Sequence, residues 1–216
     1  LIGALKILNS IKHKFEGTIR FIFQPAEELV PGGAYRMIQE GVLRNPTPDV
    51  ICAQHVFPDL EVGKLGFKSG LYMASSDEVN LYIKGKGGHA ALPHTYDNTV
   101  LAAAQILVDL DKVIKENKSD AFPTVLAFGK LIGDGACNLI PSEVKINGTF
   151  RTFDETWRDE AHNLIIQTAQ KTAASFGTTC EVVIDKGYPF LINNSEVTQI
   201  ARNAAIEFVG KDNVKD

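Results

Sequence analysis

The sequence contains no long apolar run and no run of lysines or arginines. The first absence excludes a membrane-spanning helix, because such a helix needs about 20 consecutive apolar residues. The second absence, together with a formal net charge of −4, argues against a nucleic-acid partner. We therefore expect a small-molecule partner, with neither nucleic acid nor a membrane involved.

Cysteine is scarce as well. The three cysteines, Cys52, Cys137 and Cys180, are odd in number and lie in apolar, strand-like stretches. This pattern favours reduced thiols over a disulfide framework and predicts a cytoplasmic protein. The sequence also lacks an initiator Met and the features of a signal peptide, while residues 1–15 already have the apolar spacing of a helix. We expect the chain to begin inside a longer protein.

The composition that remains is that of an ordinary globular protein. Of 216 residues, 44% are hydrophobic and 22% are charged, which suffices for one large or two small domains. Residues 1–69 alternate between helix and strand, the pattern of an α/β domain with a parallel sheet. The predicted elements are a helix at 2–15, a strand at 18–23, a helix that Gly32-Gly33 opens and that runs to Glu40 before Gly41 ends it, and a strand at 49–55.

The pattern changes in residues 70–186. Here the order is strand, helix, strand, strand, helix, strand, which predicts a split βαββαβ (ferredoxin-like) sandwich inserted into the α/β domain. Residues 187–216 then return to the first domain through a helix at 197–209, for which Ser195 is the expected N-cap. The predicted elements of the sandwich are 78–84, 98–116, 124–132, 142–153, 155–175 and 178–185.

Two adjacent carboxylates, Glu27 and Glu28, follow the first predicted strand, and His55 ends the second. Ligands gather at the carboxyl ends of strands in open α/β sheets, so these three side chains can converge on one crevice. Neighbouring residues on an extended chain point in opposite directions, which favours one carboxylate as a metal ligand and the other as a proton carrier. The alternative is a solvated acidic turn with a hydrogen-bonded core histidine.

The second chemically rich stretch is 84–94, in which glycines at 85, 87 and 88 precede His89. Such glycines let the backbone approach a ligand closely, although a tight bulge with a surface histidine is equally compatible with the spacing. Asn138, between two predicted strands, is either a turn residue or a donor to substrate. Arg151 is either a solvated charge or a partner for a carboxylate.

Taken together, the motifs at 23–28, 54–55, 87–94 and 138–141 resemble those of the aminoacylase/carboxypeptidase family of metallopeptidases. The resemblance is closest to its amidohydrolase branch, which includes hippurate hydrolases, N-acetyl-diaminopimelate deacetylases and plant indole-acetyl-amino-acid hydrolases. It covers nearly the whole chain, with the motifs in the family's order.

The resemblance implies a hydrolase that uses two divalent metal ions (Zn²⁺, Mn²⁺ or Co²⁺) to cut the amide bond of N-acyl amino acids. It implies an α/β catalytic domain and an inserted lid domain through which the protein forms a homodimer. Glu27 matches the general base, Glu28 and His55 match metal ligands, and His89 matches a lid histidine that stabilises the oxyanion, in some relatives across the subunit interface. The expected substrate-binding residues are His94, Asn138 and Arg151.

Two departures from the family pattern limit this expectation. The upstream Cys-Gly-His-Asp type motif and the histidine ligand near the family's C-terminus, which supply further metal ligands, are not in the sequence. We therefore expect this chain by itself to bind metal poorly and to be inactive. The alternatives are a metallo-carboxypeptidase or aminopeptidase acting on short peptides, and a non-catalytic dimerisation module. Asp97-Asn98 stands where relatives often have Asp-Pro, and the sequence gives no functional reason for this difference.

Overall fold

The computed structural model describes residues 1–28 and 32–216. The chain divides into two compact units, unit 1 (Leu1–His55) and unit 2 (Val56–Asp216). None of the described helices is long and apolar enough to cross a membrane.

The described part of unit 1 contains two α-helices and no strand. Helix α1 (Ile2–Ser10) is shorter than the predicted 2–15 and is followed by a 3-10 turn (Lys12–Lys14), whereas α2 (Gly32–Gln39) ends within one residue of the predicted helix at 32–40. The strands predicted at 18–23 and 49–55 are not formed, so that prediction was wrong. The physical reason is that a strand is stabilised by pairing, and neither segment has a neighbouring strand within the described residues of unit 1.

Side-chain hydrogen bonds hold the segment at 18–23. The Arg20 guanidinium donates hydrogen bonds to the carbonyl oxygens of Val42, Arg44 (3.0 Å) and Asn45 (2.8 Å). The segment at 18–23 is therefore tied by one side chain to the loop after α2. Because no sheet forms, its apolar residues Ile19 and Phe23 remain about half exposed.

Unit 2 is built around a four-stranded sheet with two long helices. Three short strand pairs and a third α-helix complete the unit, together with 3-10 turns at Pro93–Thr95 and Lys211–Asn213. Its elements in chain order are β1 (Leu65–Gly66), β2 (Gly70–Met73), β3 (Asp77–Lys84), β4 (Gly88–His89), α3 (Thr99–Asn117), β5 (Thr124–Gly133), β6 (Leu139–Ile140), β7 (Glu143–Thr152), α4 (Glu155–Ser175), β8 (Thr179–Lys186), β9 (Leu191–Asn193), α5 (Ser195–Val209) and β10 (Val214–Lys215).

The main sheet has the strand order β5-β7-β3-β8, and all neighbours are antiparallel. With α3 between β3 and β5 and α4 between β7 and β8, this is the predicted βαββαβ arrangement. Each of its six main elements begins and ends within one residue of the predicted bounds. The mixed α/β class is thereby confirmed, whereas the role of this sandwich as an inserted lid remains a prediction.

The core of unit 2 lies between the sheet and its two helices. Strand β3 alternates strictly, with Val79, Leu81 and Ile83 fully buried, and fully burying a side chain of this kind contributes about 1.5–3 kcal/mol. The apolar spacing of α3 predicts a stripe of Leu101, Ile106, Leu107, Leu110 and Val113. Ile106 and Leu110 are fully buried as predicted, whereas Leu101 is 53% exposed. The buried residues of α3 are Thr99, Ala102, Ala103, Ile106, Leu110 and Ile114.

The remaining elements of unit 2 lie outside the sandwich. Strands β2 and β9 pair antiparallel, and β1 pairs in parallel with β10. Helix α5 is capped by Asn194, whose side chain accepts a hydrogen bond from Val197 N, and not by Ser195 as predicted. The predicted domain bounds of 1–69, 70–186 and 187–216 remain a prediction.

Candidate functional site

In unit 1 the acidic pair lies on a turn at Glu27–Glu28, immediately after Ala26. Ala26 has a φ of 49°, in the left-handed region that residues with a side chain adopt at some cost. A Cβ on Gly33 would lie 1.9 Å from the Pro25 carbonyl oxygen, so only glycine permits the backbone at the start of α2 to approach this segment. The backbone thus turns at the acidic pair, and both side chains are exposed.

His55 is exposed at the end of unit 1, in an irregular segment. Imidazole and carboxylate are suitable ligand types for Zn²⁺, Mn²⁺ or Co²⁺. However, across 1–28 and 32–216 no three His, Cys, Asp or Glu side chains are grouped closely enough to hold a metal ion. The described residues therefore fit a metal centre in ligand type but not in ligand number.

In unit 2 the structure brings two of the predicted residues together, His89 and Asn138. The short strand β4 pairs antiparallel with β6, so that His89 lies opposite Leu139. Ala90 N also donates to the Asn138 carbonyl oxygen at 2.9 Å. The glycine-rich loop and the Asn138 loop, which are about 50 residues apart in sequence, therefore form one paired surface.

The environment of His89 determines which ring nitrogen carries the proton. The Ala91 N–H donates to His89 Nδ1 at 3.2 Å. In the neutral ring the nitrogen that accepts a hydrogen bond carries no proton, so this contact favours the Nε2–H tautomer. The exposed imidazole thus has an N–H donor at Nε2.

The glycines before His89 are required for close approach. A Cβ on Gly87 would lie 2.8 Å from the Ile140 carbonyl oxygen, and one on Gly88 would lie 3.0 Å from the Tyr96 Cβ. Neither position leaves ordinary space for a side chain. The glycines therefore allow the two loops to pair, whereas a close approach of this backbone to a ligand remains a prediction.

The other two predicted residues lie apart from this pair of loops or on its margin. His94 is exposed in the 3-10 turn Pro93–Thr95. Strand β7 begins at Glu143, beside the paired loops. Arg151 is eight residues further along this strand, near its other end, and is exposed. At roughly 3.3 Å per residue, Arg151 is about 26 Å along the sheet from Glu143.

A groove of about 700 Å³ lies beside the Asn138 loop. The first two turns of α3 form one wall, with Val100, Leu101 and Ala104, and residues 133–141 form the other. Both Val100 and Leu101 are about half exposed. The groove therefore presents apolar surface next to the candidate site.

One charged cluster of unit 2 was not expected from the sequence. Asp77 and Arg158 are both about 1% exposed and form a bidentate ion pair, in which Arg158 Nε donates to Asp77 Oδ2 at 2.9 Å and Nη2 donates to Oδ1. Asp77 also interacts with His162 Nε2 (2.8 Å) and accepts from Gly187 N (3.0 Å). A sequence signal existed, because Arg158 and His162 are one helical turn apart on the apolar face of α4.

Burial acts to raise the pKa of the Asp77 carboxyl, but hydrogen bonds from Arg158, His162 and Gly187 outweigh it and hold that pKa well below its usual range. The two chain crossings, by which the chain enters the sandwich just before β3 and leaves it just after β8, meet at this cluster. Ser76 N donates to the Tyr188 carbonyl oxygen at 3.1 Å, and a Cβ on Gly187 would lie 2.1 Å from the Ser76 carbonyl oxygen. The cluster therefore fastens both crossings to α4.

The α/β sandwich and its paired His and Asn loops can be compared with known proteins. The model of peptidase family M20/M25/M40 matches residues 1–216, which is the whole chain. This chain therefore belongs to the peptidase M20/M25/M40 family, and the metallopeptidase resemblance of its motifs is confirmed.

Individual relatives have amide-hydrolase names. The N-acyl-L-amino acid amidohydrolase of Geobacillus stearothermophilus is 37% identical over 196 residues, which are 91% of this chain and 52% of the relative. The N-acetyldiaminopimelate deacetylase of Priestia megaterium is 37% identical over 200 residues, with shares of 92% and 52%. This chain thus spans about half the length of the curated relatives that it matches.

Among solved structures, the Bacillus subtilis YXEP protein, described as a dinuclear metal binding peptidase from the M20 family, is 30% identical. Its TM-score is 0.71, and the match covers 96% of this chain and 51% of that one. A protein from methicillin-resistant Staphylococcus aureus matches with a TM-score of 0.83 and 28% identity, covering 94% of this chain and 54% of that one.

Proposed function

We propose that this chain belongs to a metal-dependent hydrolase that cuts the amide bond of N-acyl amino acids. The observation that carries the proposal is that relatives named for this chemistry are 37% identical over nine-tenths of the chain. The exposed Nε2 donor of His89, paired with the Asn138 loop, supports it, because hydrolysis of an amide develops negative charge on the carbonyl oxygen.

In this proposal the residues of the chain have separate roles. Glu27 is the general base that takes a proton from water and delivers it to the leaving nitrogen. His89 donates from Nε2 to the developing oxyanion, and its donor geometry is already set by the bond from Ala91 to Nδ1. His94, Asn138 and Arg151 bind the substrate, Arg151 by a bidentate bond to its carboxylate.

We further propose that Glu28 and His55 supply part of the ligand set for two divalent ions in the complete enzyme. If bound there, such ions would supply Lewis-acid chemistry, polarising the scissile carbonyl and lowering the pKa of a bound water. Since two ligands make an incomplete shell, we expect only weak binding when the 216-residue chain alone is titrated with Zn²⁺ or Mn²⁺ in a calorimeter. Tight, saturable binding by this chain would contradict that expectation.

The test of activity uses the chain extended at both ends, a small panel of N-acyl amino acids, and added Mn²⁺, Zn²⁺ or Co²⁺. We expect turnover that Glu27→Gln abolishes, because glutamine keeps the size of the side chain but cannot accept the proton. Glu16→Gln, an exposed carboxylate of the same unit, is the matched control and should leave turnover unchanged. Absence of turnover in the folded, extended protein on any substrate would reject the proposal.

We propose in addition that the protein is a homodimer through the sandwich. The distance of about 26 Å along β7 prevents one small substrate from contacting both His89 and Arg151 of the same chain. If both bind substrate, two chains must contribute. The edge strand β5 supports this arrangement, since Val125, Leu131 and Ile132 are nearly half exposed along a ten-residue edge, and such edges favour pairing with another chain.

Light scattering coupled to size exclusion tests the association. Val125→Lys on edge strand β5 should shift the protein toward monomer by placing a charge on the interface. Val183→Lys on the opposite edge strand, β8, is the matched control, because Val183 is also partly exposed. A monomeric wild type, or equal effects of the two variants, would contradict this interface.

Two other functions compete with the amidohydrolase. Hydrolysis of short peptides by the extended protein, with no turnover of N-acyl amino acids, would identify a peptidase. A dimer without hydrolysis of either substrate class would identify a non-catalytic dimerisation module. We also propose a cytoplasmic location, supported by the three cysteines, which are all free thiols.

A further inference from the structure

The start of helix α3 contacts both candidate loops of unit 2. Asp97, two residues before the helix, makes two hydrogen bonds to the backbone of Lys86, three residues before His89. Its carboxylate oxygen Oδ2 accepts from Lys86 N at 2.7 Å, and its own N–H donates to the Lys86 carbonyl oxygen at 2.8 Å. The glycine-rich loop is thus fastened at two points just before the histidine.

Thr99, two residues further along, reaches the other loop. Its side chain is fully buried, and its Oγ1 donates to the Pro141 carbonyl oxygen at 2.7 Å. Pro141 is three residues after Asn138. Between the two, Asn98 caps the helix by accepting from Leu101 N at 3.0 Å, which fixes the helix end from which Asp97 and Thr99 extend.

The backbone packs closely against the side chain of Asp97, which is partly exposed. A Cβ on Gly85, just after β3, would lie 2.9 Å from the Asp97 Cβ, and one on Gly177, in the turn before β8, would lie 3.2 Å from its Oδ1. A buried hydroxyl at Thr99 and a closely packed, doubly hydrogen-bonded Asp97 are suited to holding two loops at a constant separation.

We propose that Asp97 and Thr99 are positioning residues which together form a brace that sets the spacing between His89 and Asn138. Asp97 holds the loop of His89, Thr99 holds the loop of Asn138, and α3 joins the two. The catalytic consequence rests on the proposed function, because it requires that His89 and Asn138 meet the substrate. The brace itself is a property of the loops and is measurable without activity.

The first test measures amide hydrogen exchange by NMR in the 216-residue chain. The informative amide is that of Ala90, which donates to the Asn138 carbonyl oxygen. Neither Asp97 nor Thr99 bonds to this amide directly, so a change in its exchange reports on the pairing of the two loops. Asp97→Ala and Thr99→Val should each accelerate its exchange by about tenfold, the effect expected when one hydrogen bond of this kind is lost. Amides in the middle of the sheet, such as those of Leu81 and Ile146, should not change.

Asp97→Asn is the rescue variant, because its amide oxygen can still accept from Lys86 N. Asp120→Ala, an exposed carboxylate in the loop after α3, is the matched control. The ring of His89 gives a second readout, since nitrogen chemical shifts distinguish an Nε2–H tautomer from a mixture. Asp97→Ala should change the ring from one tautomer toward a mixture, whereas Asp97→Asn and Asp120→Ala should not.

Unchanged exchange at Ala90 in both variants would overturn the brace. Equal acceleration at Ala90, Leu81 and Ile146 would also overturn it, because the residues would then stabilise the fold in general. In the extended, active protein, Asp97→Ala should lower kcat by about tenfold with little change in KM, and Asp97→Asn should restore it. An unchanged kcat despite faster exchange would refute the catalytic consequence. An inactive wild type would refute the proposed function, and the exchange result would then still test whether the brace exists.

Discussion

Replacement of Arg158 by Met is the most informative perturbation of unit 2. The guanidinium is about 1% exposed and donates to Asp77, to the Gly187 carbonyl oxygen (3.1 Å) and to both carboxylate oxygens of Glu155 (3.0 Å each). Methionine is long and unbranched, so it fills most of the same space without charge. The substitution therefore removes the positive partner of Asp77 with a small change in packing.

The expected cost follows from what remains around Asp77. Of the four groups that donate to its carboxylate, Arg158 supplies Nε and Nη2, while His162 Nε2 and Gly187 N stay in place. Removing one partner of a buried ion pair costs about 3–5 kcal/mol because the other charge is left buried. Since Asp77 retains two hydrogen bonds, we expect a loss near the lower limit, about 3 kcal/mol.

Urea unfolding of the chain measures this loss. Trp157, the single tryptophan, is 8% exposed and adjacent to Arg158 on α4, so its fluorescence reports directly on this region. Arg151→Met, at an exposed position of β7, is the control and should change the free energy of unfolding by less than about 0.5 kcal/mol. Combining Arg158→Met with Asp77→Asn should cost clearly less than the sum of the two single variants. A loss below about 1 kcal/mol, or additive effects, would refute the argument that a buried charge is left without its partner.

Three further predictions concern acid stability, the chain crossing and the buried thiol. Because the pKa of Asp77 is lowered in the folded state, its contribution to stability is complete above the ordinary value of 3.8 and is lost as the pH falls through the lowered pKa. Wild type should therefore lose more stability than Asp77→Asn between about pH 4 and pH 2 in acid unfolding, and parallel curves would contradict this. Gly187→Ala should lower the midpoint of urea unfolding, because its Cβ would overlap the Ser76 carbonyl oxygen. Gly129→Ala is the control, because a Cβ there has open space and should leave the midpoint unchanged. Equal midpoints for the two variants would contradict the close packing of Gly187 against Ser76. Burial raises the pKa of Cys180 to about 11, so at pH 8 a thiol reagent should label the two exposed cysteines rapidly and Cys180 only after unfolding, and three fast thiols would contradict its burial.

The sandwich of unit 2 could be predicted because its signals are local. In β3, the alternation of Val79, Leu81 and Ile83 with polar residues encodes both the strand and its buried face. In α3, apolar spacing encodes the helix and the buried positions of Ile106 and Leu110, although Leu101, on the same predicted stripe, is exposed. The small residues Ala102 and Ala103 pack against the sheet instead, and spacing alone does not distinguish a large exposed side chain from a small buried one.

The strands predicted in unit 1 show the limit of such signals. The runs at 18–23 and 49–55 are apolar, but an apolar run states only that burial is favourable and does not specify a pairing partner. Within the described residues of this unit the pairing is not present, and Arg20 makes bonds to backbone carbonyls in its place. Ile51 consequently remains 62% exposed.

The candidate site depends on the kind of contact that sequence patterns leave open. The motif residues His89 and Asn138 could each be identified, yet each also had an ordinary structural explanation as a surface histidine or a turn residue. Their pairing depends on the absence of a Cβ at Gly87 and on hydrogen bonds from Ala90 and Thr99, which join residues about 40 to 50 positions apart. No local period encodes such a contact, because the sequence pattern of each loop would be the same if the other loop lay elsewhere.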